Sequence, residues 1–395
     1  MMMYAVLSNP NHPKYGVATI PFPIPRDQYT YCMDLLEALE VGDAVKADCK
    51  VVEFDSVYTV LKRMKALTVN VEELNYLVKR LESFDTGEAA QFQAMAHKLE
   101  LFELKDLINL TFCCQQATVI TDFSDLAAIG RDHYMNLHGG SAKTEELDAL
   151  DGKETARQLI ENGGGTITPY GVVYDNGMKL EQVYDGRFFP CYYYEPNVIT
   201  VAATSKNEPE DTKHITWLHL PMIQEEIDRA LRRGGITDPA DVRLRLEDSQ
   251  LPNEVDVLLD MEYETLSDLN ELAEATDGLS NADMEKLGAA VMLAKPKSAA
   301  QIKNLAESLD LFDLAPGAHT PQDYGKYMIR QSGRFDYDEN LDAFYDYEKY
   351  GTERMNEEDG MFTDRGYIAY KGYISMEEVM NGGQSNHMVL GGLSR

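Results

Sequence analysis

The side chains best suited to chemistry in this chain are carboxylates. Asp336, Asp338, Glu339, Asp342, Asp346, Glu348, Glu353, Glu357, Glu358 and Asp359 crowd into one short stretch. Such a cluster could bind a divalent cation, assist hydrolysis at a metal, or present fixed negative charge. The run Asp336-x-Asp338-x-Asn340-x-Asp342 opens like a calcium loop. That loop needs Gly at its sixth position and Glu at its twelfth, where this chain has Leu341 and Tyr347, so calcium binding is not expected. Gly163-Gly164-Gly165 is not followed by Gly-Lys-Ser/Thr and reads as a turn rather than a phosphate loop. Cys113 and Cys114 lie in the apolar run NLTFCCQQATVI and read as buried. His133, His138 and His219 lack metal-ligand spacing, and no G-x-S-x-G elbow is present. The residues give no catalytic constellation, so no enzyme activity, cofactor or metal is expected.

Fixed charge remains. The 395 residues carry 67 Asp and Glu against 36 Lys and Arg, a formal net charge of −31. Such a surface repels nucleic acids and anionic membranes and attracts basic protein grooves. Plain solubility is the competing reading of net charge alone. With 44% hydrophobic residues and 23 Tyr, the chain is not a disordered acidic tail. Five Cys with no C-x-x-C pair argue against a disulfide framework or a zinc ribbon and fit a reducing cytoplasm. No secretion signal and no apolar run of membrane-spanning length is apparent. The basic stretch Arg229, Arg232, Arg233, Arg243 and Arg245 is outnumbered by neighbouring acids, which points to local ion pairs or to contact with an acidic neighbouring module.

The elements that would position these acids recur. Gly165, Thr168, Gly171 and Gly177 match Gly360, Thr363, Gly366 and Gly372 at an offset of 195. Leu74-Asn75 matches Leu269-Asn270 at 195, and Leu147-Asp148-Ala149 matches Leu341-Asp342-Ala343 at 194. Lys105 and Leu107 match Lys303 and Leu305 at 198, as Pro23 matches Pro221. Two related tandem modules are expected, over 1–185 and 213–395, joined by a linker region at 186–212. Each reads as a β-rich start, then amphipathic helices such as VEELNYLVKRLESF and TLSDLNELAEATDGL, then a Gly turn and a short strand. The expected class is α+β, with small mixed sheets and helices and an elongated form. Charge is uneven: residues 251–360 hold 25 Asp and Glu against 9 Lys and Arg. If helical, Asp338, Asp342 and Asp346 form an i, i+4 ladder of like charge, with Phe344, Tyr345, Tyr347 and Tyr350 free to anchor another face in a core.

Three segments, VLSNPNHPKYGVATIPFPI, VEELNYLVKRLESF and NLDAFYDYEKYGTERMNEEDGMFTDRGYIAY, resemble the ArdA antirestriction proteins of conjugative plasmids and transposons. The resemblance implies a cytoplasmic, non-enzymatic mimic of bent B-form DNA. Such a protein occupies the DNA groove of the methyltransferase core of type I restriction–modification enzymes and binds no nucleic acid itself. It further implies that the acids of 336–359 stand in for phosphates, with a thinner counterpart in the first module at Glu145, Glu146, Asp148, Asp151 and Glu154. Family members pair as homodimers, and a tandem chain could hold part of that pairing internally. A charge of −31 at the density of B-DNA corresponds to roughly 50 Å of duplex. The alternative is an acidic module that binds another basic protein, such as a nuclease, nucleoid or conjugation factor.

Overall fold

The computed structural model describes residues 2–192, 196–209, 213–334 and 336–383. Contacts divide the chain into two units. The first holds residues up to Tyr194 together with Glu210–Thr216 and Ile223–Thr237; the second holds Glu195–Pro209, Trp217–Met222 and everything from Asp238 onward.

The first unit opens with strands β1 (Met3–Ser8) and β2 (Ala18–Phe22), helix α1 (Tyr29–Ala38), and strands β3 (Cys49–Asp55) and β4 (Thr68–Val69). They form an antiparallel sheet in the order β2-β1-β3-β4. Three helices follow: α2 (Val71–Glu82), α3 (Thr86–Lys98) and α4 (Leu104–Leu110). Asn70 caps α2 by accepting from the Glu73 N–H, and Leu74, Leu77, Val78 and Leu81 recur at helical spacing to fill the core beneath. Asp85 and Glu88 close a capping box on α3. The unit then builds β5 (Thr118–Ile120), α5 (Leu126–Leu137), α6 (Thr144–Ala149), α7 (Gly152–Asn162), β6 (Thr166–Thr168) and β7 (Gly171–Tyr174), with the small sheet ordered β5-β7-β6.

Next come β8 (Ile199–Ser205), β9 (Thr216–Leu220), α8 (Gln224–Arg233) and β10 (Val242–Ser249), with β8 central between β10 and β9. The second unit continues with α9 (Asn253–Asp256), α10 (Leu266–Thr276), α11 (Asn281–Ala294) and α12 (Ala299–Ala306). It closes with β11 (Phe312–Pro316), α13 (Pro321–Arg330), a 3-10 turn at Glu339–Phe344, α14 (Tyr347–Glu357), β12 (Asp359–Thr363), β13 (Gly366–Tyr370) and α15 (Met376–Met380). Here the small sheet is β11-β13-β12.

The order of elements over 3–174 is largely repeated over 199–370, except that α9 stands in place of β4 and the 3-10 turn in place of α6. The local contacts recur with it. The Ile24 N–H donates to Asn75 Oδ1 at 2.8 Å, and the Met222 N–H donates to Asn270 Oδ1 at 2.8 Å. Asn109 donates to the carbonyl of Tyr184, and Asn304 to that of Met380. Thr168 Oγ1 donates to the Gly171 carbonyl, and Thr363 Oγ1 to that of Gly366. Gly171 and Gly366 sit at φ +126° and +135°. There a Cβ would also meet the carbonyl oxygens of Ile120 and Ala315, so both positions demand glycine.

The α+β class expected from sequence holds, with differences in detail. The sheet pairings are antiparallel rather than mixed in every register described. The stretch read as a linker, 186–212, contains β8, a buried central strand; its Tyr193, Tyr194, Glu195, Glu210, Asp211 and Thr212 lie outside the described residues, as does the tail 384–395. The match of Lys105 with Lys303 is nearly one helical turn out of step. Asn109 and Asn304, which make the equivalent bonds, stand 195 apart. A slip of three residues keeps an amphipathic stripe nearly in phase, which is why it passes in sequence.

Of the basic stretch, two arginines have distant partners. Arg229 Nε donates to Glu72 Oε1 at 2.6 Å. Arg233, only 4% exposed, donates to the carbonyls of Arg187 and Ala44, to Asn70 and to Tyr184, and pairs with Glu73 at 3.4 Å. These bonds fasten α8 to α2 inside the first unit. Arg245 makes a local pair with Glu247.

Candidate functional site

The acids of 336–359 are carried by the irregular stretch before the 3-10 turn, the turn itself, α14 and the start of β12. Helix α13 supports them. Thr320 caps α13, Pro321 opens it, and Gly325 lies against α14 so closely that a Cβ there would be 2.0 Å from the Tyr347 carbonyl. Gly351 of α14 meets the Pro321 carbonyl in the same way, at 1.9 Å. Beneath this crossing lies a small core that includes Tyr324, Met328 and Tyr367.

The predicted ladder of Asp338, Asp342 and Asp346 along one α-helix does not form. Asp338 caps the 3-10 turn by accepting from the Asn340 N–H. The chain leaves helical geometry at Tyr345, and Asp346 begins a new helix by accepting from the Lys349 N–H at 3.1 Å. Asp338 and Asp346 satisfy backbone donors that helix starts leave orphaned, so the ends of two elements set their positions. Of the aromatics expected in a core, Tyr347 is buried, Tyr345 and Tyr350 are half-buried, and Phe344 is 83% exposed.

The carboxylates sort into two groups. Asp342 accepts from Arg330, from Tyr347 and, at 2.7 Å, from Tyr337. Arg330 also sits 5.4 Å and 5.3 Å from the centres of the Tyr337 and Tyr347 rings. The Tyr347, Tyr337 and Arg330 bonds hold the Asp342 carboxyl down at about 2. Glu358, whose side chain is 4% exposed, turns inward to accept from Tyr324 at 2.6 Å, Arg354 at 2.6 Å and Lys371 at 2.6 Å. Burial, and then the Glu358 bond, push the Tyr324 hydroxyl well above its ordinary range. Burial beside Glu358 raises Tyr367 to about 12. Asp342 and Glu358 are thus tied into the fold by cations and hydroxyls.

The second group faces solvent. Asp336, Glu339, Glu348, Glu353 and Asp359 are exposed and make no side-chain hydrogen bond or ion pair among the described residues. Glu357 is exposed, with Arg354 at 3.5 Å. In the first unit Glu145, Glu146, Asp148, Asp151 and Glu154 are all exposed on α6 and at the start of α7. Asp151 caps α7 through the Glu154 N–H, Glu146 accepts from the Lys143 N–H, and Glu154 lies 3.8 Å from Arg157.

Cys113 and Cys114 are buried, as expected. Among the described residues no group of three or more His, Cys, Asp or Glu is placed to hold a metal ion, and no helix is long and apolar enough to cross a membrane. A groove of about 300 Å³ between α9 and α11 is lined by Val257, Leu258, Val291 and Met292 with Asn253, Glu254 and Lys295, and by none of the acids above.

What the second unit offers is therefore an α+β domain whose distinctive surface is unneutralised carboxylate. Residues 212–369 match the family model of the antirestriction protein ArdA, and the chain carries an ArdA antirestriction domain over that span. A comparison with curated proteins gave no match.

Proposed function

We propose that this protein acts without catalysis, as a mimic of B-form DNA that occupies the DNA groove of type I restriction–modification enzymes. The observation that carries the reading is the set of exposed acids on 336–359 left without compensating cations. Their spacing supports it. Asp346 at the N-cap, and Glu353 and Glu357 within α14, are 7 and 4 residues apart, close to whole helical turns, so they lie along one side of the helix; Asp346 also accepts from the Lys349 N–H and Glu357 lies 3.5 Å from Arg354. They rise by roughly 10 Å and 6 Å along the axis. One strand of B-DNA carries a phosphate about every 3.4 Å, so the three carboxylates fall near intervals of three steps and two steps. The two halves of the chain are two copies of one module, the second beginning near β8, and a homodimer of such chains would present the row again.

The test is protection of DNA from cleavage by a purified type I enzyme across a salt series. The protein's affinity for the enzyme should fall steeply over a few-fold rise in ionic strength, because salt screens the attraction between its carboxylates and a basic groove. Failure to protect DNA even at low salt would sink the reading.

A further inference from the structure

The 3-10 turn at Glu339–Phe344 presents more than charge. Three residues make one turn of a 3-10 helix, so Leu341 and Phe344 are eclipsed and point the same way. Both face solvent, Leu341 at 48% and Phe344 at 83% exposure. A single exposed Leu is ordinary, but an apolar pair held rigidly amid charge is not. Asp342 lies between the two in sequence and turns the other way, onto Arg330, Tyr337 and Tyr347. Those three bonds fix the turn, and with it the outward direction of the pair. The rim is acidic: Asp338, Glu339, Asp346 and Glu348 are all exposed.

The first unit sharpens the point. Its Leu147-Asp148-Ala149-Leu150 corresponds to Leu341-Asp342-Ala343-Phe344. There Leu147 and Leu150 are half-buried, and Asp148 is exposed with no side-chain partner among the described residues. The clamp and the outward apolar pair occur together in the second unit and not in the first.

We propose that Leu341 and Phe344 are the apolar anchor of the docking surface, inserting into an apolar pocket within a basic, DNA-binding groove of the partner enzyme. The proposal rests on the DNA-mimic reading and adds the element that charge lacks. Carboxylates steer the encounter and are screened by salt, whereas burying an aromatic and a leucine gives short-range affinity that salt does not screen. An anchor fixed before binding loses little conformational entropy when it docks. The acidic rim selects a positively charged surface, which disfavours a second copy of this acidic chain.

The experiment compares the full chain, Leu341→Ala/Phe344→Ala, and Glu339→Gln/Glu348→Gln/Glu353→Gln as inhibitors of DNA cleavage by a purified type I restriction–modification enzyme over a salt series. Circular dichroism checks that each variant is folded. The apolar variant should need a roughly tenfold higher concentration for half-inhibition, by about the same factor at every salt, as truncating buried anchors does. The neutralised variant should instead flatten the dependence on salt. An apolar variant within about twofold of the unmodified chain overturns the anchor and leaves the mimic reading standing. A loss confined to low salt also overturns it. An unmodified chain that inhibits at no salt overturns the mimic reading and the anchor with it. Sedimentation velocity decides the remaining case: if the apolar substitutions halve the mass, the pair joins two copies of this chain and the proposal fails.

Discussion

Replacing Gly351 by Ala sets two effects of opposite sign against each other. In an exposed helix interior the change favours folding by about 1 kcal/mol, because Ala loses less backbone entropy. In α14 the added Cβ would stand 1.9 Å from the Pro321 carbonyl oxygen, where ordinary contact begins near 3.4 Å. Helices α13 and α14 must therefore part by roughly 1.5 Å. Overpacking of that kind costs about 1–3 kcal/mol, and more where backbone meets backbone and neither can rotate away. Parting the helices also loosens the core of Tyr324, Met328 and Tyr367 beneath them. Sterics should win, leaving Gly351→Ala about 1–2 kcal/mol less stable than the parent. Urea unfolding followed by circular dichroism, with fluorescence of Trp217, the single tryptophan and a residue of the second unit, measures the difference. Asn356→Ala, exposed on the same helix, is the control and should be neutral or slightly stabilising. A Gly351→Ala protein as stable as the parent would refute the close crossing, and one more stable would show that propensity alone governs the site.

Arg233→Met should destabilise the first unit by about 3–5 kcal/mol, since it leaves Glu73 and Tyr184 without their buried partner; adding Glu73→Gln should restore part of the loss, and a double variant no better than the single would count against the pairing. Glu358→Gln should cost about 3 kcal/mol or more, because Arg354 and Lys371 lose their shared carboxylate, whereas Glu353→Gln should leave the unfolding midpoint within about 0.5 kcal/mol and weaken only inhibition. Asp342 should titrate near 2 by carboxyl NMR. Its folded value lies below the ordinary 3.8, so its stabilising effect is complete above about 4 and is lost as pH falls through about 2. Arg330→Met should move the midpoint up toward 3.8, and an unmoved midpoint would show that the guanidinium does not hold the carboxylate.

The parts of the fold readable from sequence were those whose signal is local. Helices α2, α10 and α11 carry apolar side chains at helical spacing behind Asn70, Thr265 and Ser280, each an N-cap that the structure uses. Strands β7 and β13 form where the turn glycines and alternating apolar positions predict a short strand. Strand β8 escaped because a central strand buried on both faces shows no alternation, and ITVAATS lies between polar stretches. Strand β10 does alternate, with Val242, Leu244 and Leu246, but Arg243 and Arg245 read in sequence as part of a basic stretch. Density of acid was legible in the candidate site, and its sorting was not. Glu358 stands between Glu357 and Asp359, and nothing adjacent says that it alone turns inward. Its partners Tyr324 and Lys371 come from α13 and the end of β13, which only the fold brings together. The break of the supposed ladder did have a local sign, since Asp338 and Asp346 each precede residues whose N–H groups need a cap.

The order of elements is nearly the same over 3–174 and 199–370, so comparing the two stretches separates acids that helix starts explain from acids that they do not. Asp151 and Asp346 occupy matching places and do the same work, each capping the helix that follows. An acid kept at both places is explained by the helix start alone. Gln158 and Asn162 stand where the second copy has Glu353 and Glu357, and Lys153 stands where it has Glu348. The helix forms in both copies, so those three glutamates are not needed to make it. They add like charge to a surface already acidic, which is mildly unfavourable for folding. The same comparison sets Asp342 apart: its Arg330 corresponds to Met135 in the first copy, and the clamped turn appears only where the added glutamates do. The added glutamates on α14 and the clamp and apolar pair on the 3-10 turn before it thus occur together in the second stretch. That is the pattern expected of a surface shaped by a partner rather than by the stability of the module.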